Sequence, residues 1–332
     1  MKALTVVRPN QIELQERPDL TAGPGEVLIQ PVVVGICGTD LDIIEGTIDP
    51  AFVQYPVVIG HEWAGTVVSS NASEFKTGDR VVVEGVVPCG TCEECERGAT
   101  NRCAVYDEFG FTRDGAAAEL LVAPGMQVHR LADTVSWESA ALVEPAAVVY
   151  RALTTANMRP GARVLVVGDG TVGLLAATLV RTFDPSSVTV LGARDQQQRL
   201  VALTGADDFT TNADSVGANY DVVIEAAGAV TATAKALVSA ARGGTIVLLG
   251  FPGQGQSVPL HVDDVVNNDL TIVGSFSYTT KAWADVVRVL NEGKADLGWL
   301  VTHRFPLDDF AEGLKAIRQG SDTERGKVLL VP

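Results

Sequence analysis

The sequence predicts an α/β protein in which an irregular β-rich domain is followed by a doubly wound parallel sheet. Three observations predict it. The first half breaks into short apolar runs separated by turn signals. The second half alternates apolar runs with Ala-rich or amphipathic ones. A glycine-rich turn joins the first strand of that second half to its helix.

Taken in order, Met1-Lys2-Ala3-Leu4-Thr5 leads into a strand without the charged segment and long apolar stretch of a signal peptide. Residues 27–34, 65–68 and 80–83 read as strands, the last announced by the turn pair Gly78-Asp79. Residues 138–155 are Ala-rich and read as one helix. Strands are then expected at 163–167, 187–191, 221–225, 244–249 and 270–274, with helices at 172–182, 196–203 and 231–241. The tail reads as a helix at 281–291, a strand at 301–305, a helix at 308–318 and a strand at 327–331, expected to pack back on the β-rich domain. No internal repeat or low-complexity linker interrupts this pattern.

At 332 residues the chain can bury two sizeable cores. A formal net charge of −16 argues against a nucleic-acid partner, because phosphate binding needs clustered Lys and Arg. No run of about 18 apolar residues points to a membrane span, so a cytoplasmic protein is expected. All five cysteines have a metal role open to them, which fits a reducing compartment and leaves none needing a disulfide.

The turn at 168–173, Gly168-Asp169-Gly170-Thr171-Val172-Gly173, is a G-x-G-x-x-G that follows an apolar strand and opens a helix. In that context Gly168 serves the tight turn, Gly170 lets backbone approach a pyrophosphate, and Gly173 lets helix and strand pack closely. The helix N-terminus at Thr171 and Val172 offers N–H groups to the phosphates. The second strand ends at Gly192-Ala193-Arg194, where an acidic residue would bind a ribose 2′-OH. Glycine at that position removes the repulsion toward a 2′-phosphate, and Arg194 could grip it, so NADP is expected over NAD; Asp195 leaves a carboxylate one residue away. Ala227, Leu249 and Gly250, near the ends of later strands, complete the expected coenzyme contacts.

Two groups of metal-type residues stand in the first half. Cys89, Cys92, Cys95 and Cys103 have the spacing of a closed, four-thiolate structural zinc site, within a lobe of about residues 86–105. A redox C-x-x-C is the competing reading, but the thioredoxin-like βαβ pattern it needs is absent. Cys37 and His61 are the candidate ligands of an open, catalytic site, with Glu62 and Glu144 as candidate carboxylates. Asp40 is a candidate partner for the other nitrogen of His61. His129, His261 and His303 have no such context.

Taken in order, Gly35-Ile36-Cys37-Gly38-Thr39-Asp40, Gly60-His61-Glu62, Gly78-Asp79-Arg80-Val81, the four-cysteine lobe, Glu144-Pro145 and the turn at 168–173 resemble the zinc-dependent medium-chain dehydrogenase/reductase family over essentially the whole chain. The resemblance implies a GroES-like catalytic domain at 1–146, a Rossmann domain at 147–280 and a return to the first domain at 281–332. It also implies a catalytic zinc on Cys37, His61 and a carboxylate, with Glu144 favouring the sorbitol-dehydrogenase-like branch, and a proton relay through Thr39. Asp42 stands where many relatives place the relay's outer histidine, and Ser277 where polyol dehydrogenases carry an arginine. The implied activity is hydride transfer between NADP(H) and a secondary alcohol or ketone, as a homodimer or homotetramer paired through the strand at 270–274. Asp42, Trp63, Phe109, Glu144 and Tyr278 are candidate pocket residues, and a polyol, sugar or cyclitol the candidate substrate. A catalytically silent protein of the same fold and a zinc-ribbon nucleic-acid binder are the alternatives.

Overall fold

The computed structural model describes residues 1–105, 107–253, 255–318 and 323–332. It divides into two compact units: Met1–Glu144 with Thr279–Gln319 and Lys327–Pro332, and Pro145–Tyr278 with Gly320–Gly326.

The first unit opens with β1 (Lys2–Arg8), β2 (Gln11–Glu16) and β3 (Glu26–Ile36). Helix α1 (Gly38–Glu45), then β4 (Val57–Val58), β5 (Glu62–Ser70) and β6 (Arg80–Val83) follow. The short helix α2 (Glu93–Glu96) precedes β7 (Leu121–Pro124), β8 (Val128–Arg130) and α3 (Trp137–Ala141). Helix α4 (Val143–Thr155) carries the chain into the second unit. There β9 (Arg163–Val167), α5 (Thr171–Leu179), β10 (Ser187–Leu191), α6 (Gln198–Leu203) and β11 (Asp208–Thr210) are followed by β12 (Tyr220–Glu225), α7 (Val230–Leu237), β13 (Ala240–Leu248), α8 (Val262–Asn267) and β14 (Thr271–Gly274). The chain then returns to the first unit with α9 (Thr280–Asn291), β15 (Val301–Pro306), α10 (Phe310–Arg318) and β16 (Lys327–Val331).

Among the described residues, the second unit's sheet runs β11-β10-β9-β12-β13-β14, with every neighbouring pair parallel. This is a doubly wound order that reverses beside β9, so the carboxyl ends of β9 and its neighbours form the crevice where such sheets bind ligands. In the first unit, β16 pairs with β15 and β3, and β3 with β5, so the C-terminal strand completes a sheet begun near the N-terminus. Its core includes fully buried Leu4, Ile29, Ile43, Ile59 and Trp63, each contributing about 1.5–3 kcal/mol by leaving water.

Several expectations differ from the structure. The helix expected over 138–155 is two, α3 and α4, separated at Leu142. The helix expected to reach residue 241 stops at Leu237, and Ala240 already pairs with Tyr220 in β13. Of the candidate pocket residues, Trp63, Phe109 and Tyr278 are 1 % exposed, and the first two pack in the first unit's core. No helix among the described residues is long and apolar enough to cross a membrane.

Candidate functional site

Strand register assembles the centre. Ile36 of β3 lies opposite Val328 of β16, and Gly35 lies opposite Glu62 of β5. Cys37 at the end of β3, Glu62 and Lys327 therefore face one place. Gly35 is glycine for this reason: a Cβ there would strike the Glu62 carboxylate and lie 2.8 Å from Lys327 Cε. Cys37 also caps α1, its sulfur accepting the Thr39 N–H at 3.3 Å, while Asp40 Oδ2 accepts the Cys37 N–H at 2.9 Å.

Cys37 Sγ lies 3.2 Å from His61 Nε2, and Asp40 Oδ1 lies 3.4 Å from His61 Nδ1. One ligand atom each from Cys37, His61 and Glu62 falls within 4.8 Å of the others. Lys327 forms a buried ion pair with Glu62. The Phe111 ring tilts against His61 at 5.1 Å between centroids. Glu144 lies outside the close trio, and although its residue keeps some exposure, its carboxyl is enclosed near Glu62 and Glu108.

The electrostatics ask for a cation. Burial, with the neighbouring Glu62 and Glu108, pushes Glu144 up to about 8. Burial opposes a charged His61, but Cys37 and Asp40 outweigh it and hold the imidazole well above its usual pKa. Lys327 is likewise held above its usual value against burial, chiefly by Glu62 and Cys37. A thiol, an imidazole and a carboxylate at coordinating separation, amid more buried acids than bases, suit a divalent ion with an open position. Thr39 is part-buried beside Cys37, whereas Asp42 is exposed and accepts from Thr47 Oγ1 at 3.2 Å.

The other four cysteines also come together, with their sulfurs within 4.8 Å of one another. Backbone N–H groups of Thr91 and Cys92 hold the Cys89 thiol down to about 6, while burial pushes Cys95 up to about 12. Four sulfurs in one cluster can close a tetrahedron around zinc and leave no open position.

The dinucleotide residues lie at the carboxyl end of the second unit's sheet. Gly168 has φ +126°, and a Cβ there would lie 2.9 Å from the Ala226 backbone. A Cβ on Gly173 would strike the Gly168 carbonyl, whereas one on Gly170 would meet open space. Thr171 and Val172 begin α5, behind its N-cap Gly170. Buried Glu225, which the sequence did not single out, arranges the later strand ends: Oε1 accepts the Ala227 N–H at 2.9 Å, and its carbonyl accepts from Leu249 at 2.9 Å and Gly250 at 3.3 Å. Gly192, Ala193 and Arg194 stand together at the end of β10, but the Arg194 guanidinium is engaged by Asp169 at 2.8 Å. Asp195 accepts from Thr211 Oγ1 at 2.6 Å. Lys327, Phe111, Glu225 and Asp169 were missed because only strand register and turn geometry bring them to these sites.

Comparison with known proteins agrees with this geometry. Residues 23–133 match the alcohol dehydrogenase GroES-like domain, and residues 137–324 match the glucose dehydrogenase C-terminus. Sorbitol dehydrogenase of Bacillus subtilis strain 168 is 31% identical, over 100% of this chain and 97% of its own. A zinc-binding dehydrogenase from Sinorhizobium meliloti 1021, solved with NADP bound, superposes with a TM-score of 0.93 at 26% identity, covering 100% of this chain and 99% of the other. An alcohol dehydrogenase from E. coli CFT073 in complex with NADH superposes with a TM-score of 0.91 at 26% identity and the same coverage. Family models thus match most of both units and the sorbitol dehydrogenase matches along the whole chain, so the chain belongs to the zinc-dependent medium-chain dehydrogenase/reductase family of oxidoreductases.

Proposed function

We propose that this protein moves hydride between NADP(H) and a secondary alcohol or the matching ketone, with two zinc ions per chain and a polyol, sugar or cyclitol as substrate. The observation that carries the reading is the convergence of Cys37, His61 and Glu62, with Asp40 behind His61 and Lys327 on Glu62. Zinc held by the trio would supply Lewis acidity, lowering the pKa of an alcohol or polarising a ketone. Asp40 orients the imidazole so that Nε2 faces Cys37. Thr39, fixed in the first turn of α1, takes the alcohol proton and passes it outward, while Asp42 is tied to Thr47 and stands apart from that exit. Glu144 offers a second carboxyl, enclosed near Glu62 and Glu108. The Phe111 ring packs at a tilt against buried His61.

The polyol reading is supported by likeness to sorbitol dehydrogenase. The NADP reading is supported by the lack of an acidic side chain at Gly192 and by the neighbour holding NADP, with Arg194 close by once freed from Asp169. The same reading makes the protein a cytoplasmic homodimer or homotetramer: its five thiols are free, which suits a reducing compartment, and β14 ends the second unit's sheet.

Cys37→Ala tests the centre. The variant should stay folded, bind NADPH and lose one zinc, with turnover falling on the order of a hundredfold or more. Near-normal turnover on a panel of alcohols and polyols, with metal content verified, would refute the assignment.

A further inference from the structure

The crevice of the second unit contains an internal anion. Asp169 lies between the first two glycines of the phosphate turn, with its side chain only 8% exposed. Its Oδ2 accepts the backbone N–H groups of Ala193 and Arg194, both at 2.9 Å. Its Oδ1 accepts the Arg194 guanidinium, from Nε at 3.1 Å and from a terminal nitrogen at 2.8 Å. Arg194 also donates to the Asp169 carbonyl at 2.9 Å. One carboxylate thus engages both amides and the guanidinium of the turn after β10.

The surroundings are built to hold it. A Cβ on Gly192 would lie 2.6 Å from Asp169 Oδ2, so Asp169 fills the space into which an acidic side chain at the strand end would project. Gln197, fully buried, donates to the Asp169 carbonyl at 2.6 Å and clamps the Arg325 backbone, donating to its carbonyl at 3.0 Å and accepting its N–H at 2.9 Å. The Arg325 guanidinium is near enough that, after burial, the Arg194 charge depresses its pKa.

We propose that Asp169 sets the coenzyme balance: its carboxylate occupies the donors that a 2′-phosphate needs, so NADP(H) binds by displacing it, whereas NAD(H) can donate its 2′-OH to Asp169 where it stands. This rests on the dinucleotide reading of the second unit and deepens it. Two anions cannot share the same amides and guanidinium without strong repulsion. The displaced carboxylate must regain water or another partner, which lowers NADP(H) affinity but not NAD(H) affinity.

Asp169→Asn keeps the side-chain size and an acceptor but removes the charge; Asp169→Ser, which keeps a hydroxyl, serves if the first variant does not fold. Calorimetric binding of NADPH and NADH, without turnover, gives the readout. The ratio of NADPH to NADH affinity should rise about tenfold or more over wild type. Adding Arg194→Ala to Asp169→Asn should cancel that gain. An unchanged or lowered ratio in a variant that still binds NADH would overturn the proposal. If wild type prefers NADH and Asp169→Asn shifts it toward NADPH, the NADP assignment fails while the role of Asp169 stands.

Discussion

Lys327 shows how one residue outside every motif can bear on the cluster of Cys37, His61 and Glu62. Its ammonium is buried, paired with Glu62, and held charged by Glu62 and Cys37. Removing one partner of a buried pair leaves the other charge uncompensated, at about 3–5 kcal/mol. Lys327→Met should therefore lower the thermal stability of the metal-free protein sharply, and that of the zinc-loaded protein much less, because a bound cation replaces the lost charge. Unfolding curves with chelator and with zinc provide the check; equal losses in both would show that Lys327 does not balance the cluster. At this scale the sequence was uneven. Cys37, His61 and Glu62 stand in short motifs with metal-ligand chemistry, so they were legible and do come together. Lys327 was not, since only the pairing of β16 with β3 brings residue 327 to the end of a strand nearly three hundred positions earlier.

The cysteine lobe makes the corresponding case for an element. Among the described residues it holds the four-residue α2, a 3-10 turn at Thr100–Arg102 and an isolated bridge from Val86 to Glu108. Gly90 and Gly98 take positive φ, +74° and +77°, where a side chain would be strained. With so little regular structure, the lobe depends on its four sulfurs. Cys92→Ser should release one zinc and lower the melting temperature while leaving NADPH binding intact, since the coenzyme residues lie in the other unit. Full zinc content and an unchanged melting temperature would sink the structural assignment. Elements were legible where local preference and tertiary pairing agree: the strands at 163–167, 187–191 and 327–331 have the bounds their apolar runs imply. They were misread where the two conflict. Ala240 and Ala241 belong to an Ala-rich run that favours helix, yet β12 recruits Ala240 into β13. Leu142, too apolar to signal a break, separates α3 from α4.

For the whole molecule, the proposed pairing of copies has to overcome charge. A net charge of −16 sets copies against one another, so association has to rest on apolar contact. β14 terminates the second unit's sheet with one edge unpaired in the described chain. Around it in sequence stand Val262 (63% exposed), Val266 (72%) and Phe276 (50%). Val262 and Val266 are one turn apart on α8, which places them on the same side of that helix. An unpaired edge beside exposed apolar side chains is a ready site for pairing with a second copy. The expected species is a dimer or tetramer by light scattering coupled to gel filtration. Added salt should tighten it, because salt screens the repulsion and leaves the apolar contact in place. The double variant Val266→Asp with Phe276→Asp should run as a monomer, with its fold preserved because Val266 is on the surface and Phe276 half exposed in the single chain. A wild-type protein that is monomeric at every concentration, or a double variant that keeps the wild-type mass, would show that this edge is not where copies meet.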